Sequence, residues 1–285
     1  MKYTQLILLG SCMLFAFSFA KEGNKKSKGK GFIPPGTVKI SDSLFMDKTE
    51  ISNFSWLEYE AWTKRNEPEK RNSVLPDTNL WITPEFSYTP FEKYYHRHSA
   101  YRNYPAVAIS FQQAKKYCRW RTAMVNHMIL VKLKKKKYED PIDLNNETFV
   151  VYRLPTKSEW EKAAFGDKNP IQYPYGVNQL KDPKSGKSHS HTREDRNLDA
   201  TFPNVKNEPP TCKVDDGIAN AFLVYHLIGN VSEMLNDSIV IGLSHNDFLR
   251  NEHNVPHPVN RWSYYQKPSL NIGFRCVCEI RNYPW

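Results

Sequence analysis

The sequence predicts a domain of the α+β class, and three observations carry that expectation. Residues 110–133 and 153–166 each combine a helical apolar period with complete helix start signals. Short apolar runs of strand length lie before, between and after them. Long Pro-interrupted stretches separate these elements, so regular structure occupies a modest share of the 285 residues, 40% of them hydrophobic and enough for a large core.

The amino terminus reads differently. Lys2 precedes an apolar run from Leu6 to Ala20, and Ser18-Phe19-Ala20 supplies small residues at minus three and minus one. Residues 1–20 are therefore expected to be a signal peptide, with the mature chain exported from Lys21 onward, to the periplasm or an outer-membrane-associated site. Leu9-Gly10-Ser11-Cys12 also resembles a lipobox that would anchor the chain through Cys12, but the apolar run continues past Cys12, as simple cleavage requires. The run falls short of the roughly 20 residues that span a bilayer, so no transmembrane span is expected after cleavage. Residues 21–31, rich in Lys, Gly, Ser and Asn, read as a flexible basic tether, leaving 32–285 as a single domain.

Within that domain, Val38 and Ile40, a turn at Ser41-Asp42-Ser43, and Leu44-Phe45 running into Met46-Asp47-Lys48-Thr49-Glu50-Ile51 suggest a β-hairpin. Ser52 then caps a helix carrying Trp56, Tyr59, Glu60 and Trp62. Residues 66–104 are broken by Pro68, Pro76, Pro84 and Pro90 yet hold Trp81, Phe86, Tyr88, Phe91, Tyr94 and Tyr95. Aromatics that dense must pack on something, so the stretch reads as a long loop laid over the core, with the exposed aromatics of 81–104 offered for binding.

Tyr104-Pro105-Ala106-Val107-Ala108-Ile109 is expected as a short strand. Ser110 and Gln113 form a capping box for the longest helix, whose period runs through Ala114, Tyr117, Cys118, Met124, Val125, Met128 and Val131 to Leu133. After the lysine cluster and Pro141, Phe149-Val150-Val151-Tyr152 reads as a strand entering Arg153–Gly166. There Pro155 keeps Leu154 extended, Thr156 and Glu159 close a second capping box, and Trp160, Ala163 and Ala164 share one face. Gly166 stops the helix.

Residues 167–217 are polar again, with a turn at Tyr173-Pro174-Tyr175-Gly176; His189 and His191 could ligate a metal, but spacing places no third ligand beside them. The apolar run Asn220–Ile228 ends in Gly229-Asn230, and Glu233 follows. Such a turn either offers oxygens to a hard cation or merely satisfies nearby amides. Asn271–Cys278 reads as an apolar strand bearing Arg275, with Cys276 and Cys278 on one face.

The formal charge of +10 favours an acidic partner: an envelope protein or another acidic surface component. Its lysine runs, Lys25–Lys30 and Lys132–Lys137, have no nucleic-acid recognition motif beside them, and nucleic acid is not expected. Export would permit disulfides, and Cys118, Cys212, Cys276 and Cys278 allow three pairings between which sequence does not choose.

Four stretches stand in the order of a known family: Tyr104-Pro105-Ala106-Val107 through Tyr117-Cys118-Arg119-Trp120, Arg153 to Gly166, Ile228 to Glu233, and Gly273-Phe274-Arg275-Cys276. Together they resemble the formylglycine-generating, or sulfatase-modifying factor, domain over roughly Phe32 to Glu279. The resemblance implies a compact α+β fold of the C-type-lectin-like type, loop-rich and low in regular secondary structure. It implies a disulfide between Cys118 and Cys276, leaving Cys212 and Cys278. It also implies a calcium site at Gly229, Val231 and Glu233, weakened because His226 stands where an oxygen ligand is usual.

Catalytic members of the family bind copper with a cysteine pair four residues apart and oxidise a substrate cysteine. The matching region here reads Ile241-Gly242-Leu243-Ser244-His245, and no cysteine lies between Ser244 and Cys276. Copper is therefore not expected, since holding it in that chemistry requires thiolate. A branch with a three-histidine iron site would have to use His245, His253 and His257, where Pro256 and Pro258 oppose a helix. Trp120-Arg121-Thr122 and Met46–Ile51 look closer to non-catalytic envelope proteins of gliding bacteria. The expectation is an exported, non-catalytic structural or binding component of the cell envelope, of the gliding or secretion-machinery type. The alternative is a metal-dependent oxidase of the family with a remodelled site.

Overall fold

The computed structural model describes residues 32–83, 90–166, 182, 184–192, 209–247 and 262–282. The expected leader with Cys12, the tether, the 173–176 turn, Phe86, Tyr88, His253 and His257 lie outside the described residues. No described helix is long and apolar enough to cross a membrane.

Strands β1 (Thr37–Lys39) and β2 (Leu44–Asp47) form the expected hairpin. It continues into a four-stranded antiparallel sheet ordered β1-β2-β10-β3, where β10 is Val277–Ile280 and β3 is Val150–Arg153. A second four-stranded sheet is ordered β8-β7-β6-β9, from Trp262–Tyr264, Ile239–Ile241, Ser232–Met234 and Ile272–Gly273. Two-residue strands β4 (Ser190–His191) and β5 (Ile228–Gly229) pair in parallel.

The helices follow their caps. Helix α1 (Asn53–Asn66) begins at Ser52, whose Oγ accepts from the Ser55 amide. Helix α2 (Phe91–Tyr94) is a single turn. Both α3 (Phe111–Lys132) and α4 (Lys157–Phe165) open on complete capping boxes, Ser110 with Gln113 and Thr156 with Glu159.

Helix α3 is fastened to β3 by side chains as well as by packing. Thr122 Oγ1 accepts from the Tyr152 amide at 2.8 Å. The fully buried Asn126 donates to the carbonyls of Thr122, Asn146 and Val150 and accepts from the amides of Phe149 and Val150. One amide group thereby satisfies backbone that would otherwise be stranded at the start of β3.

Three expectations are corrected. Residues 104–109 are extended and Ala106–Ile109 are fully buried, but they form no strand: they meet their neighbours through isolated bonds, Ala106 N to Ile51 O and Ala108 N to Ser269 O. Ala108 at φ 60° breaks the extended run. The segment 271–278 divides into β9 and β10, separated by three residues. Most of the described loop aromatics are not presented outward: Trp81, Phe91 and Tyr95 are buried together with Val107 and Val231 in a second apolar cluster, leaving Tyr94 exposed. Aromatics so dense repay burial more than exposure. The main core gathers Trp160, Ala163 and Ala164 of α4 with Met46, Leu227, Ile228, Leu235, Ile241 and Val277.

Candidate functional site

The segment 226–245 carries most of the residues singled out from sequence. Gly229 has φ 84°, and a Cβ there would sit 2.2 Å from the His191 carbonyl oxygen, so only glycine allows β5 to approach β4. Asn230 follows with φ 59°, a left-handed conformation that asparagine tolerates.

Asn230 ties four segments together. Its amide N donates to His191 O at 2.7 Å, and its Oδ1 accepts from the Cys212 amide at 3.0 Å. Its Nδ2 donates to Glu50 Oε1 at 3.0 Å, while its carbonyl accepts from the His245 amide at 2.9 Å and from His245 Nδ1 at 2.8 Å. The Gly229-Asn230 pair is thus a crossing point of the chain.

Glu233 lies on β6 and is 1% exposed; Arg275, in the stretch between β9 and β10, is 0% exposed. Arg275 Nη2 reaches Glu233 Oε1 at 2.6 Å and its Nε reaches Oε2 at 2.7 Å. Trp160 Nε1 of α4 donates to Oε2 at 2.9 Å. The remaining guanidinium hydrogens go to the carbonyls of Asp47, Lys48 and Tyr225. Burial opposes the charge on Arg275, yet Glu233 more than compensates and holds its pKa above the usual value. Three of the four sequence stretches therefore meet at one buried ion pair.

That arrangement does not fit calcium at His226, Gly229, Val231 and Glu233. Both Glu233 oxygens are engaged by cationic or N–H donors, and a hard cation would have to enter beside a guanidinium. His226 Nε2 lies 3.1 Å from the Lys213 carbonyl and must donate to it. Burial, with the charges of His191 and Arg275, pushes the His226 pKa down to about 3, so the ring is neutral.

The other sequence candidates are placed as follows. Cys118 and Cys276 are brought together in the core, their Sγ atoms 3.5 Å apart against about 2.05 Å for a bond. Burial, with Cys118 alongside, pushes the Cys276 thiol well above its ordinary pKa. Cys212 and Cys278 are not adjacent partners: Cys212 Sγ lies 3.7 Å from His226 Nε2, and Cys278 is buried in β10. His189 Nδ1 and His191 Nε2 each bond a carbonyl, of Ile218 and Pro210. Among the described residues, no group of three or more His, Cys, Asp or Glu side chains could hold a metal ion.

In the stretch Ile241–His245, Ser244 Oγ donates to Asp247 Oδ2 at 2.7 Å, and His245 is 3% exposed. Sequence reasoning missed Glu50. It is buried, with Oε1 bonded to Asn230 and Oε2 without a hydrogen-bond partner. Burial, with Glu233 nearby, raises its pKa to about 8. The one signal available was a carboxylate followed immediately by an apolar residue, Ile51.

Comparison with known proteins decides the family: a model of the sulfatase-modifying factor enzyme 1-like domain matches residues 10–280. The chain belongs to that family. Its sulfatase-modifying factor fold is similar to CarF, at 17% identity and TM-score 0.47 over 84% of this chain and 87% of CarF. It is similar to PvdO from Pseudomonas aeruginosa, at 17% and 0.47 over 83% of this chain and 80% of PvdO. Treponema denticola variable protein 1 follows, at 14% and 0.44 over 87% and 92%. No curated protein matches the chain. In this sulfatase-modifying-factor domain Trp160, Glu233 and Arg275 form one buried network.

Proposed function

We propose that this chain is an exported, non-catalytic sulfatase-modifying-factor domain, acting as a structural or binding component of the cell envelope in a gliding or secretion type of machine. The observation that carries the reading is the sequence from Ser244 to Cys276, which contains no cysteine. The copper chemistry of the catalytic members needs a thiolate pair there. Ser244 and His245 do not substitute, because Ser244 is tied to Asp247 and His245 to the Asn230 carbonyl.

The amino-terminal apolar run supports export to the periplasm or the outer membrane. The charge of +10 supports an acidic envelope protein or surface component as partner. Metal analysis of the purified mature chain, together with oxygen uptake on cysteine-containing peptides, tests the reading. No peptide-dependent oxygen uptake is expected; stoichiometric copper or iron accompanied by uptake would establish a remodelled oxidase instead.

A further inference from the structure

Among the described residues strand β8 lies at the edge of its sheet, and its backbone pattern can be read from its neighbours. The Tyr265 amide donates to Ser238 O at 2.8 Å, which makes 238 and 265 a hydrogen-bonded antiparallel pair. Alternation along the register Ile239↔Tyr264, Val240↔Ser263, Ile241↔Trp262 then turns the Ser263 backbone toward β7 and the N–H and C=O groups of Trp262 and Tyr264 outward. The inner side agrees: the Leu235 amide donates to Ile239 O, so Ile239 and Ile241 spend their groups on β6. Among the described residues no backbone group meets Trp262 or Tyr264 on the outer side; the Tyr264 carbonyl has only Gln266 Nε2, at 3.5 Å.

The side chains do nothing to blunt this edge. Exposed edge strands are ordinarily protected by charge, proline or a bulge. Here the strand reads Trp-Ser-Tyr, with all three residues exposed, Trp262 at 42% and Tyr264 at 65%. Trp262 and Tyr264 stand on one face with ring centroids 5.6 Å apart, and Lys157 Nζ sits 5.5 Å from the Trp262 ring. The order aromatic, serine, aromatic is nearly the same read in either direction.

We infer that this edge pairs with a second copy of itself, β8 against β8, about a two-fold axis at Ser263. Antiparallel pairing centred there sets Trp262 of one copy opposite Tyr264 of the other, twice. Each such pair exchanges both backbone bonds, and the aromatic rings meet across the junction on the face that carries Lys157. An isologous contact of this kind closes as a dimer and leaves no free β8 edge. Strands of three residues bury little area, so the contact is weak and concentration-dependent. An acidic extended peptide would offer the same hydrogen bonds, but the self-complementary sequence favours the copy.

Sedimentation of the purified mature chain over a concentration series tests the pairing, with a mass rising from one chain toward two. Tyr264→Pro removes an outward N–H without touching the bonds to β7, and weakens association by about tenfold or more. Ser263→Cys places the new thiols opposite each other across the axis, and mild oxidation yields a covalent dimer that the wild-type chain does not form. Raising the salt strengthens the contact, because both chains are strongly cationic. A chain that stays monomeric at about 100 μM, well above weak contacts of this size, with no cross-link from Ser263→Cys, overturns the inference. So does a dimer indifferent to both substitutions, or an edge that takes up an acidic strand-forming peptide in place of a copy.

Discussion

Arg121 of α3 forks onto Asp47 of β2, its Nη1 and Nη2 each 2.7 Å from one carboxylate oxygen, and the guanidinium lies 4.1 Å from the Tyr152 ring centroid. Asp47 Oδ2 also accepts from the Cys276 amide at 2.8 Å. The pair joins the stretches 46–51 and 120–122 across the fold. Both side chains are largely out of water. Asp47→Ala strands a buried guanidinium and is expected to lower stability by about 3–5 kcal/mol. Replacing both partners with apolar residues recovers much of that loss. Urea unfolding of the single and double variants measures it.

Glu50 gives the fold a pH dependence of calculable sign. Its folded pKa, about 8, lies above the 4.5 of an ordinary glutamate, because burial disfavours the charged form. The folded state therefore holds a proton that the unfolded state has released. The stability this group contributes is fully present below about pH 4.5 and is lost as pH rises through about 8. Glu50→Gln is expected to be more stable than wild type at pH 9 by on the order of a few kcal/mol, and the gap should close toward pH 5. Denaturation at several pH values checks the slope; parallel curves would contradict it.

Asn126→Ala removes five hydrogen bonds, four of them between α3 and residues 146–150 at the start of β3 and one to Thr122 within α3. The stranded groups are buried, so the expected loss is about 3 kcal/mol or more. Hydrogen exchange should show Phe149 and Val150 amides losing protection before the rest of β3.

Cys118 and Cys276 are close enough that oxidation needs only a small side-chain adjustment. Purified under oxidising conditions, the chain is expected to yield a 118–276 linked peptide under non-reducing digestion. Closing a loop of 158 positions contributes on the order of 5 kcal/mol in the chain-entropy picture. Because burial suppresses thiolate at Cys276, the reduced native protein should react slowly with alkylating reagents until it is unfolded.

Local chemistry was legible where it is decided within a few residues. The caps at Ser52, Ser110 and Thr156 place the starts of three helices, and Gly166 ends α4 where the periodicity stops. The family stretches also marked Trp160, Glu233 and Arg275, though not that they bond one another, which depends on contacts across 42 and 73 positions. Residues 104–109 read as a strand because they are apolar, whereas their burial comes from enclosure on several sides. The density of the loop aromatics signalled packing but not which of them stay exposed, and nothing in Trp262–Tyr264 announced an edge strand: these outcomes are set by what remote segments leave uncovered.

The order of the first sheet has a consequence for how the chain is made. Its interior strand β10 holds residues 277–280, near the end of the sequence, and lies between β2 and β3. Until those last residues have been synthesised, β2 and β3 have nothing between them, and Met46 and Val277 cannot close the core they share. Closing this sheet waits on the most distant strand pairing among the described residues, which makes that step slow. Removing the last ten residues should therefore abolish the sheet as a whole, rather than fray one edge of it.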